Sequence, residues 1–213
     1  MRRIVAYANA RIGNLKDVDL QVDLDSGWMS GVRQILSPNH DARPPGVEAE
    51  LIVIHGISLP PGEFGGPWID RLFTNSLPVD MHPYFAEVGS LRVSSHVVVA
   101  RDGAVTQYVA FTERAWHAGK SIYEGREACN DFSVGVELEG VDTVPYEAAQ
   151  YVALAEVVAA LCAAYPRLSP DRVVGHSDIA PGRKTDPGPA FDWPHARRLI
   201  ATASSAYGKP LNR

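Results

Sequence analysis

Residues 51–56 read Leu-Ile-Val-Ile-His-Gly, a short apolar run that ends in a histidine and is bounded by a glycine. Such a run is typical of a β-strand that is buried on both faces. The segment FSVGVEL, residues 132–138, is a second strand candidate, and residues 171–175 lead into His176 as a third. Because helical segments alternate with these strands, the pattern predicts an α/β domain with a central mixed β-sheet flanked by helices.

A β-hairpin is predicted from a neighbouring part of the chain. Residues 93–100 and 104–109 are rich in β-forming residues and are separated by Arg101-Asp102-Gly103. An Asp-Gly pair between two such runs is the strongest short-range signal for a hairpin. We therefore expect these two runs to form antiparallel strands.

The clearest helix is predicted over residues 145–165. Its apolar side chains recur at steps of three and four residues and give one apolar face, formed by Tyr151, Leu154, Val158, Leu161, Cys162 and Tyr165. Thr143 is placed to cap the start of this helix, Pro145 suits its first turn, and Pro166 ends it.

Residues 56–91 form a long segment that is rich in proline and glycine. Long irregular connections in compact domains are usually lids or binding loops, so we expect a loop-rich insertion here. Within it, residues 67–73 fit a short helix, because proline is tolerated in a first turn. A last short helix is expected over about residues 194–206.

The chain of 213 residues, 46% of them apolar, is long enough to bury a substantial core. We divide it into an N-terminal extension of unknown role (residues 1–26), a main domain (27–207) and a tail (208–213). Residues 15–25 alternate as an added edge strand would, and a flexible extension fits them equally well.

Charge and hydropathy limit the partners. The formal net charge of −5 argues against nucleic acid, since phosphate binding favours a basic face. No run approaches the roughly 18 to 20 apolar residues of a membrane span. The apolar stretch after Arg2 and Arg3 is shorter than the about 7 to 15 residues of a secretory signal. We therefore expect a cytoplasmic protein that binds neither nucleic acid nor membrane and has no obligate protein partner.

His55 and His176 share a local pattern, because each follows a short apolar strand. Sites in open α/β sheets lie at the carboxyl ends of strands, so the two imidazoles are expected to converge there. Catalytic zinc takes three protein ligands, and Asp186, in a loop rich in proline and glycine, is the candidate third ligand. Residue chemistry alone leaves two interpretations open: a metal site, or three unrelated structural residues.

Five blocks of sequence resemble the AmpD-type 1,6-anhydro-N-acetylmuramyl-L-alanine amidases, within the wider family of zinc amidases and peptidoglycan recognition proteins. These blocks are HGISLPPGEFGG (55–66), RAWHAG (114–119), NDFSVGVELEG (130–140), GHSDIAP (175–181) and RKTDPGPAFDW (183–193). The similarity covers roughly residues 27–200. It implies an α/β fold with one zinc ion per chain held by His55, His176 and Asp186. It also implies hydrolysis of the amide between anhydro-muramic acid and L-alanine of a stem peptide, in recycling of cell-wall fragments.

The resemblance also implies catalytic roles for two further residues. Glu137 matches the carboxylate that takes a proton from water and passes it to the leaving amine. Lys184 matches the lysine that stabilises the oxyanion of the tetrahedral intermediate. Without the resemblance, an exposed glutamate at a strand end and a solvated loop lysine are the more ordinary interpretations.

Three residues are candidates for substrate binding. Arg92 is suited to a bidentate contact with a stem-peptide carboxylate. Trp116 and His117 are candidates for the wall of the groove, since aromatic faces stack on sugars. The remaining histidines are interpreted as core, supporting or surface residues: His40, His82, His96 and His195.

The chain departs from the family pattern beside the first ligand. Gly56 stands where the family is expected to carry asparagine, which removes a side-chain amide next to the metal. Ser177 stands where some members carry cysteine, a change we expect to be neutral.

Two other functions compete with recycling. A lytic, phage-like amidase would act on intact cell wall, and a non-catalytic peptidoglycan-binding module would keep the groove without zinc. All three ligands are present, which disfavours the binding module. A serine hydrolase is a more distant alternative, since the sequence has no G-x-S-x-G motif.

Overall fold

The computed structural model describes residues 20–207. The predicted tail, residues 208–213, and the first part of the predicted N-terminal extension lie outside this range. The division of the chain into extension, domain and tail therefore stays a prediction.

The described residues contain ten strands and five α-helices. The strands are β1 (Arg33–Gln34), β2 (His40–Ala42), β3 (Leu51–Ile57), β4 (Val97–Val99), β5 (Val105–Gln107), β6 (Glu113–Ala115), β7 (Ile122–Tyr123), β8 (Arg126–Glu127), β9 (Ser133–Glu139) and β10 (Val173–Gly175). The helices are α1 (Trp68–Phe73), α2 (Pro83–Val88), α3 (Ala148–Ala164), α4 (His176–Ile179) and α5 (Trp193–Tyr207). Two 3₁₀ turns, Cys129–Asp131 and Pro170–Arg172, precede β9 and β10.

Six strands form the central sheet, in the order β1-β5-β4-β9-β3-β10. Only the β4–β5 pair is antiparallel, so the predicted mixed sheet is confirmed. The three predicted strands are β3, β9 and β10. β3 continues two residues past His55 to Ile57, so His55 projects from the strand rather than ending it. The pairs β2–β6 and β7–β8 form two small separate sheets.

The predicted hairpin is formed by β4 and β5, with Val97 opposite Gln107 and Val99 opposite Val105. Gly103 takes a φ of +85° in the connecting turn, a conformation that favours glycine. Both strands are shorter than the sequence pattern suggested.

Helix α3 begins later than predicted. The expected cap, Thr143, and first-turn residue, Pro145, both lie before the helix, which starts at Ala148. Gln150 supports the start instead, because its Oε1 accepts a hydrogen bond from the backbone N–H of Glu147 at 3.0 Å. The predicted end is confirmed: the helix stops at Ala164, and the residue before Pro166 is extended, as proline requires.

The prediction of one apolar face for α3 was wrong, because the helix is buried on nearly every side. The alanines between the predicted apolar positions are buried too, namely Ala153, Ala155, Ala159 and Ala160. One side of α3 packs on Val97, Val134 and Val136 of the sheet, and α5 packs against another. A helix placed between a sheet and a second helix has no solvated face to keep polar.

The opposite face of the sheet is covered by the insertion after β3. Helix α1 confirms the short helix predicted at 67–73, and α2 is an additional helix, with Pro83 at its first position. Their side chains Leu72, Phe73 and Phe85 pack with Val98 of β4. Together with α3, these helices confirm a sheet flanked by helices.

The chain ends of the described region also join the core. Of the alternating segment 15–25, residues 15–19 lie outside the description. Leu20 and Val22 are buried, and Val22 makes an isolated antiparallel bridge with Met29. Helix α5 confirms the helix predicted at 194–206, and its Tyr207 hydroxyl donates a hydrogen bond to the Leu20 carbonyl at 3.2 Å. Among residues 20–207, no helix has the length and apolar character needed to cross a bilayer.

Replacement of Gln150 by leucine is expected to destabilise the fold. The buried Gln150 amide donates hydrogen bonds to the carbonyl oxygens of Val99 (3.2 Å) and Glu139 (3.0 Å), and leucine removes both bonds. We expect Gln150→Leu to lower the free energy of unfolding by about 1–3 kcal/mol in urea denaturation. The same change at exposed Gln34, whose amide donates one hydrogen bond to the Met29 carbonyl at 2.8 Å, should cost less than Gln150→Leu. Equal losses would contradict the assignment.

Candidate metal centre

Two histidines meet at one edge of the sheet because their strands are parallel neighbours. His55 lies on β3, and His176 is the first residue of α4, directly after β10. The pairing of Gly175 with Ile54 brings the two histidines to the same level. Both are buried, each with 2% of its surface exposed.

Asp186 reaches the histidines from the loop that follows α4. The backbone N–H of Ser177 donates to the Asp186 carbonyl at 3.0 Å, and the Tyr146 hydroxyl donates to the Pro187 carbonyl at 2.9 Å. The two hydrogen bonds therefore hold the loop at Asp186 and at the residue that follows it. A Cβ on Gly56 would collide with the Tyr146 hydroxyl, so no side chain fits at position 56 unless this tyrosine moves.

The three side chains form a compact group. His55 Nδ1 lies 2.9 Å from His176 Nδ1, and Asp186 Oδ2 lies 3.2 Å from the first and 3.1 Å from the second. Within residues 20–207, this is the one group of three or more histidine, cysteine or acidic residues arranged to hold a metal ion.

The surroundings favour the unprotonated form of two of these groups. Burial lowers the pKa of His55 to about 4, although Asp186 opposes the shift. Burial alone would raise the pKa of Asp186, but its close contacts with His176 and His55 outweigh burial and lower the pKa overall. A neutral imidazole and an ionised carboxylate are the forms that bind metal ions.

Each histidine of the group has a partner on its second ring nitrogen. His55 Nε2 lies 2.9 Å from His117 Nδ1, and His176 Nε2 lies 3.1 Å from the carbonyl oxygen of Ala118. Asn130 Oδ1 accepts hydrogen bonds from the backbone N–H groups of His117 (3.1 Å) and Ala118 (2.7 Å). Neither Ala118 nor Asn130 was predicted from the sequence as a site residue.

Glu137 lies beside the metal group rather than at an exposed strand end. It is the fifth residue of β9, directly opposite His55 in the β3–β9 register, and only 8% of it is exposed. Burial raises the pKa of Glu137 well above its usual value, the charge of Asp186 adds to this, and Lys184 opposes it. A strongly shifted pKa in a cleft, beside a second carboxylate, is typical of a functional residue rather than of a core residue.

These residues line a cleft of about 500 Å³. Glu137, Lys184 and the three residues of the metal group line it, together with Trp116 and His117. Arg92 is not among the lining residues, although both of its sequence neighbours are. Its exposed guanidinium donates hydrogen bonds to the carbonyl oxygens of Ser90 (3.2 Å) and Leu91 (3.3 Å).

The other histidines have structural contacts. His96 is fully buried, where its Nδ1 accepts a hydrogen bond from Gly135 and its Nε2 lies 3.1 Å from the Glu113 carbonyl. His82 accepts a hydrogen bond from the backbone N–H of Tyr84 at the start of α2. His40 and His195 lie on β2 and α5, outside the residues that line the cleft.

Comparisons with known proteins identify the family of the chain. The family described as N-acetylmuramoyl-L-alanine amidase (Amidase_2) matches residues 45–189. The chain is 57% identical over 180 residues to the 1,6-anhydro-N-acetylmuramyl-L-alanine amidase AmpD of Salmonella typhimurium (strain SL1344), covering 84% of this chain and 96% of the relative.

Two solved structures are also similar. The fold resembles a crystal structure of a selenomethionine derivative of AmpD, with a TM-score of 0.80, 55% identity, and coverage of 83% and 98% of the two chains. It also resembles AmiD from Escherichia coli in complex with anhydro-N-acetylmuramic acid-L-Ala-D-γ-Glu-L-Lys, with a TM-score of 0.52, 30% identity, and coverage of 74% and 60%. The family resemblance seen in the sequence is thereby confirmed, and the chain belongs to the N-acetylmuramoyl-L-alanine amidase family.

Proposed function

We propose that the protein is a zinc-dependent amidase that hydrolyses the amide bond between 1,6-anhydro-N-acetylmuramic acid and L-alanine of a stem peptide. The observation that carries this proposal is the group of His55, His176 and Asp186, which opens into a cleft beside the buried Glu137. The name and the high coverage of the Salmonella relative support the substrate. We propose recycling of wall fragments in the cytoplasm as the setting.

The residues of the metal group fit one zinc ion per chain. Ligand atoms about 2.0–2.1 Å from a tetrahedral zinc ion lie about 3.3 Å from one another. The distances between the three ligand atoms here are 2.9, 3.1 and 3.2 Å, close to that spacing. Two imidazoles and one carboxylate are also a ligand set that catalytic zinc uses, with a fourth position left for water or substrate.

When bound, the zinc ion supplies Lewis acidity, which lowers the pKa of a coordinated water to about 7 and polarises a carbonyl group. In the proposed reaction, Glu137 accepts a proton from the attacking water and delivers it to the nitrogen of the leaving L-alanine. Its raised pKa suits a group that must both take up and release a proton. Lys184 provides a positive charge for the oxyanion of the tetrahedral intermediate.

We propose that Trp116 and His117 contact the substrate, since both line the cleft. Arg92 lies just outside it, and we propose that its exposed guanidinium exchanges its hydrogen bonds with the Ser90 and Leu91 carbonyls for a contact with a stem-peptide carboxylate that extends from the cleft. Apolar side chains of the insertion, among them Leu72, Tyr84 and Leu91, also line the cleft. A cleft lined by both polar and apolar side chains suits a ligand that joins a sugar to a peptide.

Removal of the metal is expected to abolish the reaction. Purified protein should contain about one zinc ion per chain, and a chelator should eliminate release of stem peptide. His176→Ala should lose the metal and lower kcat/KM by at least about a thousandfold. Metal analysis and a peptide-release assay measure both effects, with His40→Ala as a control that keeps both. Full activity in metal-free protein would rule out the mechanism.

Glu137→Gln is expected to separate proton transfer from metal binding. The amide has nearly the shape of the carboxyl group but cannot accept the proton, so kcat should fall by about 10²–10⁴-fold. Zinc content should stay near that of the wild type. Glu127→Gln, at an exposed position on β8, should leave kcat unchanged. A Glu137→Gln variant with wild-type kcat would remove this residue from the mechanism.

A comparison of substrates is expected to distinguish recycling from lysis. The proposal predicts a kcat/KM for soluble anhydro-muropeptide at least about tenfold above the rate on intact sacculi, when both are expressed per scissile bond. Chromatography of the released peptide measures both reactions. A preference for sacculi would favour the lytic alternative, and cleavage of neither substrate by zinc-loaded protein would favour the binding module.

A further inference from the structure

A chain of hydrogen bonds runs from the first histidine of the metal group into the core. Its last member is the carbonyl oxygen of Cys129, which can only accept. Ser133 Oγ lies 2.6 Å from this oxygen, so the hydroxyl donates to it. Ser133 Oγ then faces His117 Nε2, at 3.3 Å, as an acceptor. The carbonyl at the end of the chain therefore decides which nitrogen of His117 carries the proton.

The proton position on His117 in turn fixes the proton position on His55. With the proton on Nε2, His117 Nδ1 has a free lone pair and accepts a hydrogen bond from His55 Nε2–H at 2.9 Å. His55 Nδ1 is then the unprotonated nitrogen, and it is the atom that faces His176 and Asp186. Every donor along the path points away from the metal group.

The second histidine is oriented in a similar way by the next residue. His176 Nε2 lies 3.1 Å from the Ala118 carbonyl, an acceptor. Arg183 Nη2 lies 3.4 Å from the same nitrogen, but its two N–H groups donate to the carbonyl oxygens of Ala118 (2.6 Å) and Lys120 (2.7 Å). His176 Nε2 therefore donates to Ala118, and its Nδ1 also turns a lone pair to the metal group. Both supporting groups therefore come from residues 117 and 118, whose backbone N–H groups are held together by Asn130 Oδ1. One short segment orients both imidazoles.

The position of the His117 ring depends on a glycine in β9. A Cβ at Gly135 would lie 2.5 Å from His117 Cγ, so the imidazole lies directly on the backbone of this strand. Ser133 and Gly135 are two residues apart and share one face of β9. The strand thus supplies both the space for the ring and the hydroxyl oxygen that accepts a hydrogen bond from His117 Nε2–H.

We propose that His117 and Ser133 are positioning residues that fix His55 in the tautomer with an unprotonated Nδ1, ready to bind the metal. This inference rests on the metal site of the proposed function, and it gives the two nitrogens of His117 a role distinct from any contact of its ring with substrate. A histidine fixed in this way binds a metal ion without losing a proton from Nδ1 or rotating its ring.

A matched pair of variants tests the effect on metal affinity. Asparagine at position 117 places an amide oxygen near the position of Nδ1 and keeps an acceptor for His55, whereas leucine has a similar shape and no acceptor. His117→Leu should weaken zinc binding by about 10–100-fold in chelator competition, and His117→Asn by less than about threefold. The proposal would be overturned if His117→Leu bound zinc as tightly as the wild type, or if His117→Asn bound zinc as weakly as His117→Leu.

The tautomer itself is measurable without metal or substrate. At a pH of about 8, where a histidine with an ordinary pKa is neutral, ¹⁵N NMR of metal-free wild-type protein should show His55 with a proton on Nε2 and none on Nδ1. In Ser133→Ala, which has no hydroxyl to accept from His117, the signals should shift toward a mixture of tautomers. A wild-type His55 protonated on Nδ1 would overturn the proposal.

These measurements also separate the inference from the proposed function. Protein that binds zinc and has the expected tautomer but cleaves no muropeptide would contradict the amidase activity and support the inference. Thermal unfolding of the metal-free variants checks that they fold. If His117→Leu does not fold, the NMR measurement of the His55 tautomer in wild-type protein still tests the inference.

Discussion

The parallel pairing of β3 with β9 on one side and with β10 on the other is the constraint on which the site depends. It sets Glu137 level with His55 and starts α4, with His176, beside them. Hydrogen bonds between backbones fix this register, so residues that are 121 positions apart in the chain meet within 3 Å. The packing of α3 on the other face of the sheet holds the strands in place.

The two faces of the sheet also differ in role, because one packs in the core and the other carries the residues of the candidate site. Along β9, Val134, Val136 and Leu138 pack in the core with α3, while the alternate positions face the cleft side. The pKa values of two carboxyl groups on that side are shifted in opposite directions: contacts with His176 and His55 lower the pKa of Asp186, and burial raises the pKa of Glu137. Neighbouring carboxyls with separated pKa values can take different roles, one as an anionic ligand and the other as a proton carrier.

Much of the fold was predictable from the sequence because its signals are local. The apolar run before His55, the Asp-Gly turn and the helix stop at Pro166 each depend on neighbouring residues alone. The start of α3 was not predictable, since Gln150 supports it through contacts with two strands. The metal group followed from the resemblance of whole blocks of sequence. The supporting contacts did not, because the Ala118 carbonyl belongs to the backbone and leaves no mark in the sequence. Polar or small residues alternate with apolar ones over residues 133–139, and this alternation is a sequence signal for a polar face on the strand.

The hydrogen-bond path behind His55 ends on a main-chain oxygen, and this has a consequence for how the site tolerates genetic change. A single amino-acid substitution would remove a side-chain acceptor at that position. The carbonyl of Cys129 persists whichever amino acid stands there, provided that the 3₁₀ turn keeps its shape. The backbone therefore sets the direction of the hydrogen bonds along this path. Substitutions at position 129 can change the packing there without reversing that direction.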